Sequence, residues 1–155
     1  MIQRVQSLYL LAASIVMLLF IKNPIAQIEL PGKNFLMFYH NRIEPVGEGA
    51  SQVISTWPVT LLLLIIIGLS LFTIFQFRNR IRQIRLCVFN IMLHFGLVGL
   101  VYFFTKYTMN QEGGINSAFL WPIVLPFISI IMIYLALKKI QKDEQLIKSI
   151  DRIRK

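Results

Sequence analysis

Two uncharged apolar runs, residues 61–77 and 86–104, are joined by the short basic stretch Arg78-Asn79-Arg80-Ile81-Arg82-Gln83-Ile84-Arg85. Each run is long enough to cross about 30 Å of hydrocarbon as a helix. The bridge cannot follow them there, because unpaired charge in lipid is too costly. Short loops rich in Lys and Arg stay on the cytoplasmic side, so the bridge sets the orientation of the whole chain. Two further apolar runs, one near the start and one beginning at Trp121-Pro122, complete a four-span reading. With 56% hydrophobic residues among 155, the chain is too apolar for an ordinary soluble domain.

The expected fold is an all-α integral membrane bundle over residues 1–137, with spans at about 6–22, 58–77, 86–105 and 119–137. A cytoplasmic basic amphipathic helix follows over 138–155. The first span resembles a signal sequence, with Arg4 before an apolar stretch, but no small-x-small pattern closes it, so it reads as a retained span. Ala12, Ala13 and Ser14 put small side chains at mid-depth, where another helix can approach closely. Pro31-Gly32-Lys33 lies between two short strand-like segments and predicts a small exterior β-hairpin, with Phe35, Met37 and Tyr39 on its covered face. Trp57-Pro58 and Trp121-Pro122 suit helix starts at an interface, and Pro126 is expected to bend the fourth span.

Sidedness follows from the positive charges. Arg4, the four bridge arginines and the seven basic residues after 137 fall on one side, against Lys22, Lys33, Arg42 and Lys106 on the other. Both termini are therefore expected in the cytoplasm. Ile140, Leu146, Ile147, Ile150 and Ile153 recur at near-helical spacing in the tail, which suits a helix lying on the membrane or docking a partner.

The net charge of +9 is concentrated beside the apolar runs, so anionic lipid headgroups are the expected electrostatic partner. The headgroup candidates are Arg78, Arg80, Arg82 and Arg85. Nucleic acid is not expected, because the tail lacks aromatic stacking residues. Cys87 is the single cysteine, so no disulfide forms within the chain.

Candidate chemistry is sparse. Cys87, Asn90 and His94 share one face of the third span, where they could serve a quinone or another small molecule. A neutral His94 bonded across helices to Ser70, Ser129 or Tyr134 is the structural alternative. No second intramembrane His is present for a bis-His haem. Gly96 and Gly99 nearby suggest close helix packing. His40 and Glu44 on the exterior loop are too few for a closed zinc site. The serines lack a base and an orienting acid. No catalytic residue, metal or cofactor is expected, and the chain reads as non-enzymatic.

Three segments together carry a resemblance: Met1-Ile2-Gln3-Arg4 with Gln6-Ser7-Leu8-Tyr9, the bridge from Arg80 to Leu86, and the tail from Lys142 to Arg154. In these the chain resembles uncharacterised four-span inner-membrane proteins of Bacteroidota, a domain-of-unknown-function family. The resemblance implies a bacterial inner-membrane location and the same topology, and brings no catalytic residues. It directs attention to the cytoplasmic face, where Gln3, Arg4, Gln6, Asp143, Glu144, Asp151 and Arg152 are candidates for docking a membrane-protein partner. The expected role is an accessory or scaffolding subunit of a larger membrane complex, of the kind used in protein export or envelope assembly. The rivals are a small-molecule carrier using the Cys87/Asn90/His94 face, as a homo-oligomer, and an anionic-lipid-binding membrane organiser.

Overall fold

The computed structural model describes residues 3–31, 34–46, 53–77 and 79–153, with side chains over 5–146 of these. Four long helices carry the chain: α1 (Gln3–Lys22), α2 (Trp57–Phe75), α3 (Arg80–Gln111) and α4 (Leu125–Ile153). All four are long and apolar enough to cross a membrane. Their outward faces carry large apolar side chains such as Leu8, Leu64, Phe72, Met92, Phe95 and Ile131, each more than half exposed. A helix apolar on every side suits a hydrocarbon surround.

The segments that connect α1 to α2 and α3 to α4 build more than the expected hairpin. Strands β1 (Ala26–Glu29), β2 (Phe35–Phe38), β3 (Arg42–Val46), β4 (Ile54–Ser55) and β5 (Asn116–Phe119) form one antiparallel sheet in the order β4-β3-β2-β1-β5. The fifth strand comes from the connection between α3 and α4, and its Ile28↔Ser117 register clamps the two connections together. A lone hairpin is marginal in water, and the added strands remedy that.

The covered face is the opposite of the expected one. Leu36 and Phe38 are buried, while Phe35, Met37 and Tyr39 are only partly covered. The reason is register: Ile28 pairs with Leu36, and Phe38 lies between Ala26 and Ile43. These residues make one apolar face that joins Phe20, Val59, Leu97, Val101 and Leu125 in a single core cluster. A slip of one residue would exchange the two faces, so the sheet's shared core sets the register. Phe38 meets Phe104 of α3 edge-on at 6.5 Å between centroids.

Helix boundaries also depart from expectation. The bridge is not a loop: the turn lies between Phe75 and Arg80, and Arg80, Arg82 and Arg85 stand on the first turns of α3. At 32 residues, α3 is about 48 Å long and exceeds the hydrocarbon thickness. Before α4 come β5 and a 3₁₀ turn, Trp121–Val124. Pro126 therefore falls at the second position of α4 and causes no mid-helix bend, because its missing N–H has no partner to lose there. At the other end α4 runs through the boundary expected at 137/138 without a break.

Thr56 illustrates how the sheet sets the helices. It stands before α2 but makes no side-chain cap. Its hydroxyl instead donates toward the carbonyls of Tyr39 and His40, and Thr60 donates to the same His40 carbonyl at 3.0 Å. The first turn of α2 is thus tied to the β2–β3 turn.

Candidate functional site

The interior of the bundle holds a seam of polar side chains, with its largest share on α3. Its buried positions Gln83, Cys87, Asn90, His94, Leu97 and Val101 recur at intervals of three and four, one stripe facing the other helices. Four helices converge on the middle of this stripe. The Asn90 amide Nδ2 donates to Ser70 Oγ of α2 at 2.6 Å. The His94 ring bonds the Asn90 carbonyl through Nδ1 at 2.8 Å and Ser129 Oγ of α4 through Nε2 at 2.8 Å. Ser129 Oγ also lies 3.4 Å from the Ala13 carbonyl of α1.

A carbonyl oxygen only accepts, so Nδ1 carries the proton in the neutral ring and Nε2 accepts from the Ser129 hydroxyl. That hydroxyl has one hydrogen, and the 2.8 Å partner takes it in preference to the 3.4 Å carbonyl. With His94 fully enclosed and both ring nitrogens engaged, a ligand would have to break these bonds to reach the ring. Cys87, on the same stripe, packs among Leu10, Ala13, Ile133 and Ile140 in an apolar cluster. Asn90 Oδ1 is buried with no partner among the described residues.

Gly96 and Gly99 do not mediate close packing. A Cβ built on either meets no atom within 4 Å, so their positions face outward from the contacts. The close approach is at Gly114 instead, where a Cβ would fall 2.9 Å from Ile28 Cγ2 and 2.9 Å from Met109 Cγ.

Toward the basic end, Gln83 Nε2 donates to the Thr73 carbonyl at 3.0 Å, tying α3 to the last turn of α2. Gln6 of α1 donates its amide to the Asp143 carboxylate of α4. Both side chains are more than nine-tenths buried, so these two docking candidates are spent on each other and not displayed. The physical reason is that a carboxylate turned into a helix interface needs a donor, and Gln6 is the one opposite. Glu144, partly buried, has its own interaction. The side chains of Gln3, Arg4, Asp151 and Arg152 lie outside the described residues, as does Arg78. Arg80 is partly covered, and Arg82 and Arg85 are exposed.

At the sheet end, Glu44 pairs with Arg42 at 2.6 Å, so it is engaged with a cation beside His40. Burial holds His40 below the ordinary imidazole value; a hydrogen bond with the Ile21 backbone opposes this, and Arg42 adds to it. Among the described residues no group of three or more His, Cys, Asp or Glu could hold a metal.

Gln83 and the Ser129–Ala13 approach are the participants that sequence reasoning missed. Gln83 was legible in principle, since it precedes Cys87 by four residues on the stripe. Its place in a basic bridge disguised it.

These features define a class: a four-helix bundle of membrane-spanning length, sealed inside by interhelical hydrogen bonds and closed at one end by a five-stranded sheet. The chain belongs to the family described as a domain of unknown function, DUF4293, which it matches over residues 2–153. No curated protein matches it.

Proposed function

We propose that this protein is a non-enzymatic accessory or scaffolding subunit of a larger complex in the bacterial inner membrane, with its basic end in the cytoplasm. The observation that carries the reading is how the interior spends its polar groups: Asn90 on Ser70 and His94 on Ser129 bond α3 to α2 and α4, with the Ala13 carbonyl of α1 beside Ser129. Polar groups used this way hold helices together and leave no reactive set. The basic end supports the orientation, since the start of α3 and the extension of α4 carry the excess of Lys and Arg.

The extension of α4 is the docking element. Leu146 is half exposed there, and the helix continues to Ile153. Protein export and envelope assembly are the processes that such a subunit would serve. Deleting residues 147–155 keeps Asp143 on Gln6, so it should leave the bundle inserted while releasing a co-purifying partner. Retention of the same partners at the same stoichiometry would defeat the docking assignment.

A further inference from the structure

Beside the buried Gln6–Asp143 pair, α1 and α4 leave an open groove of about 540 Å³ lined by Tyr9, Leu135, Lys138, Lys139, Gln141, Lys142 and Gln145. Six of these seven are on α4 at near-helical spacing, and Tyr9 closes the side toward α1. The lining is graded along the helix. Tyr9 and Leu135 stand at the end belonging to the apolar spans, and Lys138, Lys139 and Lys142 follow within two turns.

Among the described residues the lining contains no carboxylate, because Asp143 is turned inward onto Gln6. Lys138 Nζ lies 5.7 Å from the centroid of the half-exposed Tyr134 ring, an aromatic and cation pairing suited to an interface. Three ammonium groups and two amide side chains therefore surround a space of ligand size. An apolar wall continues from it toward the hydrocarbon.

We propose that this groove binds the headgroup of an anionic phospholipid, with Lys138, Lys139 and Lys142 on the phosphate, Gln141 and Gln145 on its hydroxyls, and an acyl chain along Tyr9 and Leu135. A free anion would use the lysines but leave the apolar wall uncovered, which is why a lipid is the occupant. The site is distinct from the bridge arginines. It rests on the bilayer placement proposed above and is independent of any protein partner.

The full chain, purified in mild detergent, is offered phosphatidylglycerol and phosphatidylcholine, and retained lipid is read by native mass spectrometry. The wild type should retain phosphatidylglycerol selectively. A basic residue near an anionic surface contributes enough that each lysine is worth about fivefold and the three about a hundredfold. K138Q/K139Q/K142Q should lose that retention, and K138R/K139R/K142R should keep it. R80Q/R82Q/R85Q, which leaves the groove intact, should lose much less retention than the lysine variant. The lysines are exposed, so helical content serves as the check that the glutamine variant remains folded. Undiminished retention in the glutamine variant, an equal loss in the bridge variant, or displacement of the lipid by excess inorganic phosphate would each overturn the proposal. Because the four spans stay inserted in every variant, such a failure would leave the bilayer placement standing.

Discussion

His94 offers a graded test of whether the polar seam is structural. Replacing it by Leu keeps most of the volume and removes the bond to Ser129 Oγ. Interhelical hydrogen bonds in membrane proteins average about 0.6 kcal/mol, with a ceiling of about 1.7. Ser129 can then turn to the Ala13 carbonyl at 3.4 Å and recover part of the loss, so His94→Leu should cost about 1 kcal/mol. His94→Ala adds a cavity at a fully enclosed position, which raises the cost to about 2–4 kcal/mol. Ser129→Ala removes the same bond from the other side. In a double-mutant cycle it should therefore couple to His94→Leu by about 0.5–1.5 kcal/mol. The assay is reversible unfolding in mixed micelles, followed by far-UV circular dichroism, alongside partner recovery from the membrane. Equal destabilisation by Leu and Ala, or no coupling to Ser129, would refute the assignment of the bond. Loss of a small-molecule ligand or flux in a stable His94→Leu protein would restore the carrier reading.

Other expectations follow from the same geometry. Gly114→Ala should destabilise by about 1–3 kcal/mol in thermal melts, since its Cβ meets the branched Ile28 side chain and Met109 at 2.9 Å; Gly96→Ala, with open space around it, should be neutral or stabilising. Asp143→Ala should cost about 1–3 kcal/mol by stripping Gln6 of its acceptor, and Asp143→Asn should cost less; crosslinking between cysteines placed on α1 and α4 beside Gln6 and Asp143 should report any loosening of the basic end. For His40 the folded value lies below the unfolded value of 6.5, so the unfolded state binds the proton more readily. Stability is full above pH 6.5 and declines as pH falls below it toward the folded value. Relative to the intrinsic exchange rate, which itself falls with pH, protection of the β2 and β3 amides should drop between pH 7.5 and 5.5, and His40→Gln should abolish the effect.

The helices were legible because apolar length and flanking charge are strong local signals. The third helix extends six residues beyond the expected span at each end, since Arg80 to Arg85 and Lys106 read as limits when they are parts of one helix with its ends outside the apolar run. The sheet was only half legible. Pro31-Gly32 announces a turn, but the pairing of Ile28 with Ser117 joins segments almost ninety residues apart, and no local pattern specifies it. The inward face was misread for the same reason: alternation alone does not say which of Leu36/Phe38 or Phe35/Met37 meets Val59 and Leu97. In the seam, helical spacing brought Cys87, Asn90 and His94 onto one face, and Ser70 and Ser129 were already candidate partners. That the Gln6 amide bonds the Asp143 carboxylate depended on which way α1 meets α4, a tertiary fact that two separate segments do not encode singly.

The subunit reading is tested most directly by the mass of the native particle after gentle detergent extraction, with every co-purifying protein identified. The account predicts a defined hetero-complex of fixed stoichiometry that loses its partner on deletion of residues 147–155. A lone monomer or a homo-oligomer, unchanged by that deletion, would contradict it.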